Sequence, residues 1–441
     1  MIYNSIEQVI GNTPLLKLDG KRYGLKNTDL YVKLEYLNPF GSIKDRTALG
    51  LLKDTKWKEL ERQNQHIIES SSGNTAKSLQ VLASRHGVPV ICVTNRIKVP
   101  EVEQQLRYLG TEIMSLPGRS ECPDPNDENN TVAVIESMQH QQPNHYYHTA
   151  QYTNLANPLM HETTTAKELY EDLPTIDYMI SGIGTGGSSS GLIAYASHHH
   201  LDTNHIGVVA DPSDFLPGIR TKNELFETGL FEADAFLDII EVTSADALKA
   251  LQILVKNEGV LAGPTTGGNF AAATRYLLEH DTFREDGSRQ TAVFIACDRL
   301  ETYMSYIAKR QPELFDSTRL TDIFTAAVSD EEAKELSRAA SHETQQWIVD
   351  ENVLVVDTRG VKPFVNFHIE GSLNYPEDLL KEVLENGTPF ADRPVLLVCP
   401  TGDRSKLLAS VLSKRGVKAY SLGGGLLAWR SAGLPLVRKA L

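Results

Sequence analysis

The feature that most restricts the fold of this chain is an alternation. From the start to about residue 310, short β-branched or apolar runs ("QHIIESS", "VPVICVT", "IDYMISG", "HIGVVAD", "QTAVFIA") are separated by longer stretches with helical spacing. Parallel strands must be joined by crossovers of a dozen or more residues, usually helices, so the pattern predicts α/β units around a mostly parallel sheet. A second, shorter series follows, with predicted strands in "NVLVVDTR", "PVLLVCP" and "KAYSL". Between the two series "RQPELFDSTRLTDIFTAAVSD" reads as a connection. At 441 residues the chain exceeds one ordinary core. The expected division is a first domain at 1–312, a linker at 313–328 and a small α/β domain at 329–441.

Composition excludes several classes of function. No apolar run approaches the ~20 residues of a membrane-spanning helix. The start, "MIYNSIEQVIGNTPLL", lacks a basic stretch followed by an apolar one, so a cytoplasmic protein without a signal peptide is expected. A net charge of −14 without a long basic cluster argues against a nucleic-acid surface. Cys92, Cys122, Cys297 and Cys399 form no C-x-x-C pair and have no nearby His ligands, against both a disulfide framework and structural zinc. The triplet His198–His200 reads as a solvated helix end, and no metal is expected.

Three loops carry chemistry. Strand "IDYMI" runs into "SGIGTGGSSSG", where glycines would let backbone N–H groups curl round an anion at a helix N-terminus. Gly182, Gly184 and Gly187 also satisfy a dinucleotide fingerprint, with Asp211 on a later strand, so a nucleotide-binding dehydrogenase is one alternative. "ESSSGNTA" (69–76) offers hydroxyls, an amide and N–H groups at another helix start, which suits a carboxylate, and "EGVLAGPTTGGN" (258–269) places two threonines in a third glycine-rich turn. Each of these two, taken singly, also reads as a plain capped helix. Lys44, in "NPFGSIKDR", stands where a helix begins.

In order and spacing these segments resemble the fold-type II pyridoxal-phosphate enzymes of the cysteine synthase and cystathionine β-synthase family. The resemblance spans nearly all of residues 5–308 and rests on "GNTPLL", "KLEYLNPFGSIKDR", "ESSSGNTA", "YLGTEI", "QYTNLANPLMHETTTAKEL", "GIGTGGSSSG", "EGVLAGPTTGG" and "CDRLETYMS". It implies two α/β subdomains with mostly parallel sheets, pyridoxal 5′-phosphate as cofactor, and a homodimer through the first domain. Lys44 is then the Schiff-base lysine and the proton-transferring base, a role helped by burial, which disfavours its charged form. By the same resemblance Gly184, Thr185, Gly186, Gly187 and Ser188 hold the phosphate, Asn74 bonds the ring hydroxyl, and Thr265 faces the pyridine nitrogen. A neutral hydroxyl there leaves the ring unprotonated, a weaker electron sink that favours β-elimination and replacement. Ser71, Ser72, Asn74 and Thr75 receive the substrate α-carboxylate, and Gln151 closes the site.

This sequence departs from the family pattern in places. Ser188 replaces the usual threonine, Ala76 the common glycine, and "NRIKVPEVEQQLRYLG" a frequent S-x-E-R helix start. The short "SDFLPGIR" after "VVADP" is similar to the branch that makes diaminopropionate-type products. Leaving group and nucleophile therefore stay open.

In the C-terminal domain "PVLLV" delivers Cys399 into "CPTGDRS" ahead of a helix. A thiol in a tight loop at a helix N-terminus is expected to be reactive, against the bland alternative of an inert buried cysteine. "VVDTRG", "FHIEGSLNYP", "CPTGDRS" and "GGGLLAW" resemble rhodaneses over most of 329–435. The six residues from Cys399 to Arg404 match the loop length of sulfurtransferases, whereas related phosphatases have one residue more. The resemblance implies a Cys399 persulfide, with Arg404 and the loop amides stabilising the anion.

Together the domains predict a β-replacing synthase acting through aminoacrylate on O-acetylserine or O-phosphoserine, with sulfur delivered by Cys399. The alternatives are an amine nucleophile giving a diaminopropionate derivative, a cysteine β-lyase loading Cys399, and a C-terminal docking module for a sulfur-carrier protein.

Overall fold

The computed structural model describes residues 2–71, 73–94, 97–116, 130–212, 214–315, 328–376, 379–380, 383, 390 and 392–438. The chain falls into two compact units, Met1–Arg310 and Gln311–Leu441. No helix among the described residues is long and apolar enough to cross a membrane.

In the first unit the strands are β1 Leu15–Lys17, β2 Thr28–Leu34, β3 His66–Ser70, β4 Val90–Thr94, β5 Glu112–Ser115, β6 Tyr146–His148, β7 Tyr178–Gly182, β8 Asn204–Ala210, β9 Asp238–Val242 and β10 Gln290–Ala296. They form two sheets, ordered β1-β2-β10-β7-β8-β9 and β5-β4-β3-β6. Every pairing is parallel except the antiparallel edge pair β1–β2. All five residues of β4 are buried, the pattern of a parallel strand covered on both faces. One core, which includes Val32, Ile180, Val208 and Phe294, lies on a face of the six-stranded sheet. Ile67, Leu79 and Val90 belong to a core of the four-stranded sheet.

The helices that matter here are α1 Lys44–Leu52, α2 Asn74–Ser84, α3 Gly187–His198 and α4 Pro264–Glu279. Loops at the C-terminal ends of β3 and β7 lead into α2 and α3, so helix N-termini gather at the edge where open α/β sheets bind ligands. Proline at the first position of α4 is pre-set for a helix start.

Beneath α1 lies a buried ion network. Arg46 holds Glu35 through Nε at 2.8 Å and Glu168 through Nη1 at 2.6 Å, while Lys33 reaches Glu168 at 2.9 Å. Burial disfavours the Glu168 charge, but Arg46 and Lys33 outweigh it and hold the carboxyl at about 2. The "KDR" arginine is thus a fastening of the lysine's own helix.

The second unit holds a five-stranded, all-parallel sheet of β11 Ser337–Ala339, β12 Leu354–Asp357, β13 Leu373–Asn374, β14 Val395–Val398 and β15 Ala419–Gly423, ordered β11-β15-β14-β12-β13. Helix α5, Asp403–Ser413, follows β14 and packs Leu408, Val411 and Leu412 against Val395 and Leu397. Trp429 of the "GGGLLAW" segment is fully buried on the other face with Val355, Leu396 and Leu422.

Candidate active sites

The Lys44 turn is assembled from both ends of the first unit. Gly41 bends the chain at φ 93°, and a Cβ there would fall 2.9 Å from the Arg299 side chain. The Ser42 hydroxyl accepts from the Lys44 amide at 3.2 Å and the Asp45 carboxylate from the Phe40 amide at 2.7 Å, bonds that close the turn leading into α1. From behind, the Ile43 amide donates to the Cys297 carbonyl at 2.8 Å, and Ser42 bridges to Asp298. Lys44 is half-buried, and among the described residues no hydrogen bond or ion pair fixes its amine. Burial holds that amine below the usual lysine range, against the opposing pull of Cys297 and Asp298.

Asp298 is the organising group that sequence reasoning left without a role. It is buried, and its Oδ2 accepts from Asn74 Nδ2 at 2.7 Å and from the Tyr303 hydroxyl. Its Oδ1 is buried without a partner among the described residues. Burial pushes the carboxyl up to about 6, although Tyr303, Lys77, Asn74 and Lys44 all favour its charge. Lys77, one helical turn beyond Asn74, is a second amine lowered by burial. With the Asn74 nitrogen taken by Asp298 and Tyr303, its Oδ1 is the polar atom left for a ring hydroxyl.

The expected carboxylate loop follows β3. Ser71 Oγ accepts from the amides of Gly73 and Ala76, both at 3.2 Å. Thr75 Oγ1 donates to Gln151 Oε1 at 2.8 Å, and Gln151 Nε2 donates to the Ser70 carbonyl at 2.6 Å, so Gln151 braces the loop. Fully buried Glu69 supports both, accepting from Thr149 Oγ1 at 2.5 Å and from the Gln151 amide at 3.1 Å. Ser72 lies outside the described residues, as does Cys122.

The glycine loop after β7 has the form of a phosphate cradle. Gly186 is left-handed at φ 83° and precedes α3. Among the described residues the amides of Gly184, Thr185, Gly186 and Ser188 have no hydrogen-bond partner in the protein, four donors at a helix N-terminus. Thr185 Oγ1 accepts from the Gly187 amide at 3.3 Å and from Asn157 Nδ2 at 3.2 Å, and that same nitrogen donates to the Gln151 carbonyl at 2.8 Å. Asn157, absent from the predicted set, therefore ties cradle to carboxylate loop. A Cβ on Gly187 would collide with it. Thr265 Oγ1 donates to the Pro217 carbonyl, which leaves only its lone pairs for a ligand. An anion cradle, a desolvated lysine and an amide oxygen, linked through Asp298, Gln151 and Asn157, fit pyridoxal 5′-phosphate.

The second unit presents a thiol among donors. Cys399 is 2% exposed, and its Sγ accepts from the Gly402 amide at 3.1 Å, the Ser405 amide at 3.4 Å and Ser405 Oγ at 3.3 Å. Gly402 reaches this position at φ 92°, where a Cβ would lie 2.9 Å from Gly424 N and Leu422 O. Gly424 and Gly425, at φ 69° and 62°, carry the next turn under the loop, and the Leu426 amide donates to the Cys399 carbonyl at 3.0 Å. Arg404 stands exposed in the first turn of α5. The "VVDTRG" arginine is a scaffold element: Arg359 grips Asp357 at 2.7 Å and the Phe367 carbonyl at 2.6 Å.

Three comparisons agree with this geometry. The family described as "Pyridoxal-phosphate dependent enzyme" matches residues 6–298, and "Rhodanese-like domain" matches residues 340–432. A cysteine synthase of Staphylococcus aureus is 28% identical over 311 residues, covering 68% of this chain and 96% of that protein. Among solved structures, a hydrogen sulfide-producing enzyme from Fusobacterium nucleatum has a TM-score of 0.60 at 28% identity, covering 69% of this chain and 100% of that one. An O-acetylserine-dependent cystathionine β-synthase from Helicobacter pylori has a TM-score of 0.59 at 26% identity, covering 69% and 98%. The chain accordingly belongs to the pyridoxal-phosphate-dependent enzymes, in their cysteine synthase-like fold-type II branch, and carries a rhodanese-like sulfurtransferase domain behind the catalytic one.

Proposed function

We propose that the protein replaces the β-substituent of O-acetylserine or O-phosphoserine with sulfur held as a persulfide on Cys399, making cysteine or a related thio amino acid. The observation that carries the proposal is the presence in one chain of a desolvated lysine beside Asp298, which holds Asn74 of the carboxylate loop, and a thiol held by three donors. Pyridoxal phosphate, when bound, supplies the electron sink for loss of the α-proton and the β-substituent. The protein supplies the rest. The Gly184–Ser188 amides hold the phosphate. The loop of Ser71, Ser72, Asn74 and Thr75, braced by Gln151, holds the α-carboxylate. Lys44, whose charged form burial disfavours, takes the α-proton at Nζ.

In the rhodanese-like unit the Cys399 thiolate attacks the outer sulfur of a donor such as thiosulfate. A new S–S bond forms on Cys399, and sulfite leaves with the electron pair of the bond that breaks. A thiol reductant then releases the sulfur at the sulfide level. That need fits a reducing cytoplasm and the free state of Cys92, Cys297 and Cys399. Assembly as a homodimer through the first unit, and a sulfur-carrier protein as an outside acceptor, belong to the same proposal.

The test compares thiosulfate plus a thiol with free sulfide as sulfur source, for each activated serine, in wild-type protein and Cys399→Ser. Loss of thiosulfate use with retention of sulfide use supports the proposal; equal loss of both overturns the division of labour. Product mass excludes or reveals an amine nucleophile. Pyruvate and a Cys399 persulfide formed from L-cysteine alone would reverse the direction of sulfur flow.

A further inference from the structure

Behind the Cys399 thiol lies a short run of buried hydroxyls that the assignment above does not use. Ser405 Oγ is 3.3 Å from Cys399 Sγ, 3.2 Å from the Gly402 carbonyl and 2.8 Å from Ser421 Oγ. Ser421 Oγ is 3.3 Å from the same carbonyl. Both serines are wholly shielded from solvent. Ser421 sits in β15, opposite Leu397 of β14 on one side and Ser337 of β11 on the other. A hydroxyl in the middle of a buried strand is costly unless it is hydrogen-bonded, so its partners define its purpose.

Each hydroxyl has one proton to give. When Cys399 is a thiolate, Ser405 must direct its proton to Sγ. The 2.8 Å contact is then satisfied only if Ser421 donates to Ser405. When the proton returns to sulfur, the S–H needs an acceptor. Ser405 provides its lone pairs by turning its own proton to Ser421, and Ser421 turns to the Gly402 carbonyl. The same two side chains thus serve both charge states without leaving a buried polar group unpaired. Without Ser421, the Ser405 proton is divided between sulfur and the Gly402 carbonyl.

We propose that Ser421 is a positioning residue for sulfur transfer: it holds the Ser405 hydroxyl as a donor to the charged sulfur of Cys399 and reverses that bond when the thiol is neutral. The proposal rests on Cys399 as the sulfur-bearing nucleophile, and its test does not need any sulfur donor to be active. In the step it serves, thiolate displaces sulfite from thiosulfate; charge leaves Cys399 Sγ for the outer sulfur and no further redox partner is involved.

The experiment is alkylation of Cys399 by iodoacetamide in the full-length protein between pH 6 and 8, read by peptide mass so that the other thiols do not interfere. S421A is expected to slow Cys399 alkylation about tenfold at neutral pH, the scale of losses when a supporting hydrogen bond is removed. S421T keeps the hydroxyl and is expected to restore the rate to within about twofold, which separates hydrogen bonding from packing. S405A is expected to be slow, and adding S421A to it to cost nothing more, because Ser421 acts only through Ser405. An S421A rate equal to wild type across the pH range, or an undiminished S421A effect in the S405A background, would overturn the proposal. If alkylation behaves as expected while thiosulfate is not used by wild-type protein, Ser421 stands and the sulfur-delivery function fails.

Discussion

The two residues proposed as nucleophiles, Lys44 and Cys399, stand in opposite kinds of surroundings. Lys44 is charged in water and must lose its charge to work; burial pushes it in that direction against the pull of Cys297 and Asp298, and among the described residues no ion pair fixes its amine. A cysteine must gain charge, which burial opposes. The other described thiols show the consequence: burial pushes Cys92 up to about 12 and moves Cys297 in the same direction. Cys399 is as deeply buried, yet two amides and a hydroxyl converge on its sulfur. An amine needs only a dry wall, whereas a thiol needs a dry wall with donors set into it. The same logic separates the loops. The turn at Lys44 is closed by its own Ser42 and Asp45 side chains and by backbone of the distant Cys297–Asp298 segment, while the Cys399 loop turns the N–H groups of Gly402 and Ser405 onto the sulfur.

The largest test of this contrast is to remove each nucleophile. Lys44→Ala is expected to lower β-replacement by at least about a thousandfold, the scale of a lost general base, while sulfur transfer from thiosulfate to cyanide stays at the wild-type rate. Measuring both activities on both Lys44→Ala and Cys399→Ser would break the comparison if either variant lost both.

Next in size is the foundation under each site. Arg46→Ala leaves Glu35 and Glu168 buried beside Lys33, and is expected to cost about 3–5 kcal/mol in urea unfolding of the first unit. Gly402→Ala places a Cβ against backbone at a left-handed position; about 1–3 kcal/mol of strain and slower Cys399 alkylation are expected, read by thermal melting and peptide mass.

Acid separates the two kinds of carboxylate in the first unit. Glu168 titrates at about 2 against an ordinary 4.5. Its stabilisation, on the order of 3 kcal/mol, is therefore present above about pH 4.5 and lost as pH falls toward 2. Asp298 is raised to about 6 from 3.8, so its burial favours the folded state in acid and costs stability as pH rises from about 4 to 6. Protonation of Asp298 also withdraws the charge that holds Asn74 and Tyr303. Asp298→Asn is expected to abolish an inflection near pH 6 in the β-replacement rate; an unchanged profile would remove Asp298 from the working site. The smallest expected effect is Ala76→Gly, about 1 kcal/mol, since it keeps the backbone amide bonded to Ser71 but removes a buried methyl and puts glycine into a helix.

Much of this was legible before any coordinates. The apolar runs became β3, β4, β7, β8, β10, β12, β14 and β15, because buried parallel strands carry their signal in composition. Lys44, the glycine loop and Cys399 drew attention through the glycine and hydroxyl residues around them, while the roles expected of them came from the family resemblance. Sheet order was not legible: β10 lies between β2 and β7 although hundreds of residues separate it from β2 in sequence, and no local pattern announces a neighbour. Asp298, Lys77 and Asn157 went unassigned because their roles come from burial and from partners far along the chain. Asp298 stands within the quoted "CDRLETYMS" stretch, and a signal was available there: an acid two residues beyond a buried strand. Ser421 offered none, since a serine in a short strand looks ordinary until its partners are seen.

The central place of β10 bears on how the protein is made on the ribosome. The turn that desolvates Lys44 is completed by the Cys297 carbonyl and by Asp298, at the very end of that strand. A growing chain therefore carries Lys44 as an ordinary solvated amine through more than two hundred further residues of synthesis, with the sheet open at its middle. Until β10 is made, β2 and β7 lack the strand that lies between them in the finished sheet, and their pairing waits on residues 290–296.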